Sequence, residues 1–150
     1  MSAVVDIAAI RDAAARIRGV AVETPLIRHP ALDDAIGGRA FVKCETHQPV
    51  GAFKLRGAYN KIAGADPALR AAGVVAYSSG NHAQGVAYAA RRFGVPATIV
   101  MPADAPQTKI DRTRRFGGEV VFYDRKGGEE REPIGEAILR ERGGVLVRPY

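Results

Sequence analysis

The chain has 150 residues, 47% of them hydrophobic, with a formal net charge of +6 and one cysteine. That length and apolar content suffice for a buried core of one domain's size. No run of eighteen apolar residues offers a transmembrane helix. Met1-Ser2-Ala3-Val4-Val5-Asp6 lacks the basic-then-apolar order of a secretory signal, so a cytoplasmic protein without a membrane partner is expected.

Residues 6–18 place Ile7, Ile10, Ala14 and Ile17 on one face of a helix, and Gly19 suits its end. Thr24-Pro25 forces an extended turn. A short helix over 30–36 and a strand over 39–44 follow, with Cys44 as a buried strand residue that has no disulfide partner. His29, His47 and His82 show no metal-ligand spacing. A helix over 53–65 comes next, and then the two periods alternate. They give strand 74–77, helix 81–93, strand 97–101, helix 107–116, strand 119–123, helix 129–142 and strand 145–147. Such alternation requires right-handed crossovers and a parallel sheet with flanking helices, a three-layer α/β fold. Pro106 ahead of one helix and Gly94 behind another fit the usual asymmetry of helix ends. Gly37-Gly38, Gly117-Gly118, Gly127-Gly128 and Gly143-Gly144 read as turns. The densest basic group, Lys109, Arg112, Arg114 and Arg115, lies on one helix with Ile110 and Phe116 turned inward. Without interleaved aromatics it reads as a solvated face, and no nucleic-acid partner is expected.

Two segments carry chemistry. In Pro49-Val50-Gly51-Ala52-Phe53-Lys54-Leu55-Arg56-Gly57-Ala58 a lysine stands where an apolar, glycine-flanked loop turns into a helix. An amine there meets the positive end of the helix dipole and loses water beside Phe53. Both effects suit it to attack a carbonyl carbon. In Ser78-Ser79-Gly80-Asn81-His82-Ala83-Gln84-Gly85 a strand runs through a polar loop into a helix start. Free amides at such a start, beside the carboxyl end of a strand, attract anionic groups. Each segment alone has a plain structural explanation: Lys54 as a surface residue, and Ser79 and Asn81 as helix N-caps.

Together, in this order, the two segments resemble the fold-type II pyridoxal-phosphate enzymes. With them stand Thr24-Pro25-Leu26, Lys43-Cys44-Glu45, Gln48, the run Val95-Pro96-Ala97-Thr98-Ile99-Val100-Met101-Pro102, Lys109 and Arg114 to Gly118. The branch most resembled is that of serine/threonine dehydratase (threonine ammonia-lyase) and serine racemase, and the resemblance covers nearly the whole chain. It implies a tryptophan synthase β-like fold. Residues 1–52 would belong to the larger domain, 53–123 mainly to the smaller one, and 124–150 to a return toward the larger, incomplete one. It implies pyridoxal 5'-phosphate as cofactor, with Lys54 its covalent anchor, Asn81 bonding the ring hydroxyl and Phe53 packing near the ring. Ser79 would face the substrate α carbon from the side opposite Lys54. The Ser79-Gly80-Asn81-His82 loop would receive the substrate carboxylate. The implied reaction converts a β-hydroxy amino acid such as L-threonine or L-serine to a 2-oxo acid and ammonia, in a homo-oligomer, with serine racemisation as the alternative.

The chain also departs from the family pattern. Val50 and Ala52 stand where many members carry Thr and Ser. Up to Arg148-Pro149-Tyr150 no glycine-rich phosphate cup is met, so an N-terminal portion is expected, and a catalytically incomplete fragment is a further alternative. A nicotinamide-binding domain is disfavoured, because no strand leads into three glycines at dinucleotide spacing.

Overall fold

The computed structural model describes residues 5–149. Residues 1–4, read above for a leader, and Tyr150, read as the end of the chain, lie outside the described residues. Asp6 opens the first helix, α1 (Ile7–Arg16), by accepting the Ala9 amide at 2.8 Å. An antiparallel ribbon of β1 (Leu26–Ile27) and β2 (Val42–Lys43) follows. Between its strands α2 (Pro30–Ile36) begins on a His29 cap with proline in its first turn. A 3-10 turn, Glu45–His47, leads toward α3 (Lys54–Ala63) and a short α4 (Pro67–Ala71). Strand and helix then alternate: β3 (Val74–Tyr77), α5 (Asn81–Phe93), β4 (Ala97–Pro102), α6 (Gln107–Arg115), β5 (Gly118–Tyr123), α7 (Arg131–Arg142) and β6 (Val145–Leu146).

The last four strands form one parallel sheet in the order β5-β4-β3-β6. Every residue of β3 and β4 is buried, as a parallel sheet covered on both faces requires. Successive residues face opposite ways. Val74, Ala76, Ala97, Ile99 and Met101 join Leu55 and Ile62 of α3 and Val86 and Ala90 of α5 in the larger apolar cluster. Tyr77, Val100 and Tyr123 meet Ile134 and Ile138 of α7 on the other face. The three-layer α/β arrangement is therefore as expected. β6, from the segment expected to return toward the larger domain, lies beside β3 in this same sheet.

Three expectations are corrected in the first half of the chain. The segment 39–44 does not enter the parallel sheet. With only the two-turn α2 between them, its core Val42–Lys43 pairs antiparallel with Leu26–Ile27, where an extended turn is expected. Cys44 is half-buried rather than buried, because it ends that strand and opens the 3-10 turn. The apolar face of α1 is left largely exposed, with Ile7 61% and Ile10 54% accessible, although the helix lies beside α3. A further helix, α4, separates from the end of the expected 53–65 helix because Asp66 caps the Ala68 amide and Pro67 opens a new first turn.

Candidate functional site

The loop before α3 is anchored by side chains pointing inward. Gln48, Val50 and Ala52 are buried, and Gly51 turns the backbone at φ 72°. Val50 and Ala52 thus serve packing at the two positions where hydroxyls would be polar. Gln48 closes a two-way pair with the backbone of Val22, accepting its amide at 3.0 Å and donating to its carbonyl at 2.9 Å. Two residues past Lys54, Arg56 grips Glu45 through two bonds of 2.8 Å. Thr24 Oγ1 donates to the same carboxylate at 2.6 Å. The Arg56 hydrogen bond, foremost, holds the Glu45 carboxyl at about 2, against the opposing effect of burial.

Lys54 is the first residue of α3 and is half-buried. Its Nζ donates to the Pro149 carbonyl at 2.9 Å and lies 5.2 Å from the Phe53 ring centroid. Among the described residues no carboxylate pairs with it. Phe53 is 58% exposed, so the ring flanks the amine without enclosing it, contrary to the dehydration expected from sequence.

The second segment follows β3. Ser78 Oγ accepts the Gly80 amide at 3.2 Å, and Ser79 and Gly80 are half-buried. Neither Ser79 nor Asn81 is the N-cap; that position falls on Gly80, and among the described residues no side chain caps the start of α5. Asn81 is exposed, and its Oδ1 accepts from Lys109 Nζ at 3.2 Å. His82 is buried, its Nε2 donating to the Val147 carbonyl at 2.9 Å. Burial pushes the imidazole pKa down and the nearby charge of Lys54 adds to this, while the Val147 bond opposes both. One turn on, Gly85 lets α5 meet the start of α3. A Cβ there would lie 3.2 Å from the backbone carbon and oxygen of Lys54.

Lys54 and His82 share a cleft of about 550 Å³ with Phe53, Arg56, Lys61 and residues 146–149. Ser79, Gly80 and Asn81 sit just ahead of His82, outside that lining. Two residues expected on a solvated face, the half-buried Lys109 and the exposed Arg112, also bond the two segments of the site. Lys109 reaches Asn81, and Arg112 donates to the Val50 carbonyl at 3.2 Å. Their separation of three residues on one helix was the available signal.

Residues 17–150 match the model of the family described as pyridoxal-phosphate dependent enzyme. The chain belongs to this family. Within it, the chain is 51% identical to an L-threo-3-hydroxyaspartate ammonia-lyase of Pseudomonas sp over 92% of its own length and 43% of the relative's. It is 44% identical to an L-threonine ammonia-lyase of Thermotoga maritima over 94% of this chain and 35% of that one. The structure of maize serine racemase superposes with a TM-score of 0.90 at 42% identity, covering 96% of this chain and 44% of the other. The chain thus spans less than half the length of these relatives. Among the described residues no helix is long and apolar enough to cross a membrane.

The residues present fit the family's cofactor. Lys54 is a primary amine without a carboxylate partner among the described residues, set on the wall of a cleft large enough for a small ring. The Phe53 ring lies beside it, Asn81 carries an amide group, and the first amides of α5 are left uncapped by side chains. These supply an amine for an aldehyde, an apolar surface for a ring, and donors for an oxyanion.

Proposed function

We propose that the chain serves a pyridoxal-phosphate-dependent ammonia-lyase that converts a β-hydroxy amino acid to a 2-oxo acid and ammonia. The observation that carries this reading is the amine of Lys54, without a carboxylate partner among the described residues, held at the start of α3 against α5 and open to the cleft. Lys54 would anchor the cofactor, with Phe53 beside its ring and the amide of Asn81 bonding the ring hydroxyl. When bound, pyridoxal phosphate supplies an electron sink for charge that develops at the substrate α carbon. With its amine released by the substrate's amino group, Lys54 Nζ would take the proton from that carbon and pass it to the β hydroxyl, which leaves as water. One water taken up again on hydrolysis gives the 2-oxo acid and ammonia. The Ser79-Gly80-Asn81-His82 loop receives the substrate carboxylate on its backbone amides other than that of Gly80, which Ser78 Oγ already holds. The substrate class covers L-threonine and L-serine, and the Pseudomonas relative's name extends it to an acidic β-hydroxy amino acid. A cytoplasmic homo-oligomer completes the reading.

The likeness to maize serine racemase supports a second reaction at the same residues. In it the Ser79 hydroxyl, opposite Lys54, returns a proton to the other face of the α carbon. Ser79→Ala should then depress racemisation far more than elimination in the assembled enzyme. Equal losses in both assays would remove Ser79 from that role.

The test of the anchor is reduction of the chain with borohydride in the presence of pyridoxal phosphate, followed by peptide mapping. A stoichiometric label on Lys54, absent in Lys54→Ala, is expected. Label spread over surface lysines, or none, would refute the reading.

A further inference from the structure

We propose that α6 positions the cofactor-facing groups through its cations, and that Lys109 is the residue that fixes the amide of Asn81. This rests on the functional reading above. An ammonium group has donors and no acceptor, so the Asn81 oxygen, 3.2 Å from Lys109 Nζ, is the atom that must face it. That leaves Nδ2, on the other branch of the amide, to donate to an electron-rich oxygen brought to the start of α5. The orientation is set by the chain itself before any ligand arrives, which lowers the ordering cost of binding.

The placement of Lys109 is itself constrained. Thr113, fully buried, donates from Oγ1 to the Lys109 carbonyl at 2.8 Å and braces that turn of α6 against the core. Three residues along the same helix, Arg112 donates to the Val50 carbonyl at 3.2 Å, in the loop that delivers Lys54. One helix therefore touches both segments that carry the proposed chemistry. Neither cation is paired with a carboxylate among the described residues, so Lys109 is free to hold the Asn81 oxygen and Arg112 the Val50 carbonyl.

Lys109→Met keeps the length of the side chain and removes its donors and charge. In the chain without cofactor, the side-chain amide resonances of Asn81 in a nitrogen-15 correlation spectrum should shift in Lys109→Met and return toward their original positions in Lys109→Arg. Affinity for pyridoxal phosphate, titrated by visible absorbance, should fall on the order of tenfold in Lys109→Met and recover in Lys109→Arg. In an Asn81→Ala background the same substitution should cost nothing further, because Lys109 acts through that amide. Unmoved Asn81 resonances or unchanged affinity, with Lys54 still labelled on reduction, would overturn this inference and leave the functional reading standing. Absence of label on Lys54 in the unsubstituted chain would overturn both.

Discussion

At the scale of single residues, the site depends on two positions whose roles sequence alone places only loosely. His82 belongs to a polar loop motif, yet its ring is buried and spans 65 residues to hold the Val147 carbonyl. Because burial lowers its folded-state pKa below the ordinary 6.5, the unfolded chain takes up the proton first. Its contribution to stability is then complete above pH 6.5 and is lost progressively as the pH falls toward the lower folded value. His82→Gln keeps a donor for Val147 but does not titrate, so its melting temperature should fall less steeply with acid than that of the parent. An equally steep decline in both would refute the assignment. Gly85 is the second case. Replacing it with alanine gains helix propensity of up to about 1 kcal/mol but presses a methyl group to 3.2 Å from the Lys54 backbone, which has no flexible end to yield. Gly85→Ala should therefore lose about 1 kcal/mol net in denaturant titration and weaken cofactor binding, through displacement of the α3 start.

At the scale of elements, what was legible follows from local periodicity. β3 and α5 have the bounds read from sequence, and β4, β5, β6, α6 and α7 lie within two residues of theirs, since each obeys its own repeat and end signals. The ribbon was not legible: a two-residue strand such as Leu26–Ile27 has no period, and its partner is chosen by the tertiary course of the chain. The bonds of Lys109 and Arg112 to the two segments of the site were hidden for a related reason. A charged stripe looks the same whether it meets water or a neighbouring loop. The element-level link that matters most is between the 3-10 turn and α3. Glu45 ties Thr24, Gln48 and Arg56 into one cluster directly beside the lysine loop. Glu45→Gln would leave the Arg56 fork half-satisfied and should cost about 1–3 kcal/mol at neutral pH, read as a lowered denaturation midpoint. The sign with pH is opposite to a gain in acid. The carboxylate's contribution is present above its ordinary 4.5 and fades as the pH drops through about 2, so parent and variant should converge in strong acid.

At the scale of the whole molecule, burial is divided unevenly along the chain, and stability should be divided with it. β3 and β4 are buried at every position and α5 along most of its length. α1 and α2 contain no buried residue, and both strands of the ribbon are exposed. Opening an element costs roughly the apolar contact it gives up, so the first group can open only with the sheet, whereas the second can open alone. What restrains the second group is polar: the Gln48 pair with Val22, the Glu45 cluster, and Asp33 accepting the Ala40 amide at 2.7 Å and pairing with Arg28. Hydrogen exchange followed by mass spectrometry should show amides of Ile7–Arg16 and Pro30–Ile36 exchanging through openings far below the global free energy. Those of Val74–Tyr77 and Ala97–Pro102 should exchange only at the global rate. Glu45→Gln should speed exchange across residues 20–48 and leave protection of the sheet close to its original value. A uniform loss of protection in that variant would mean that the lysine loop and the sheet open as one unit. The loop that carries Lys54 would then be as stable as the core instead of resting on a polar clamp of its own.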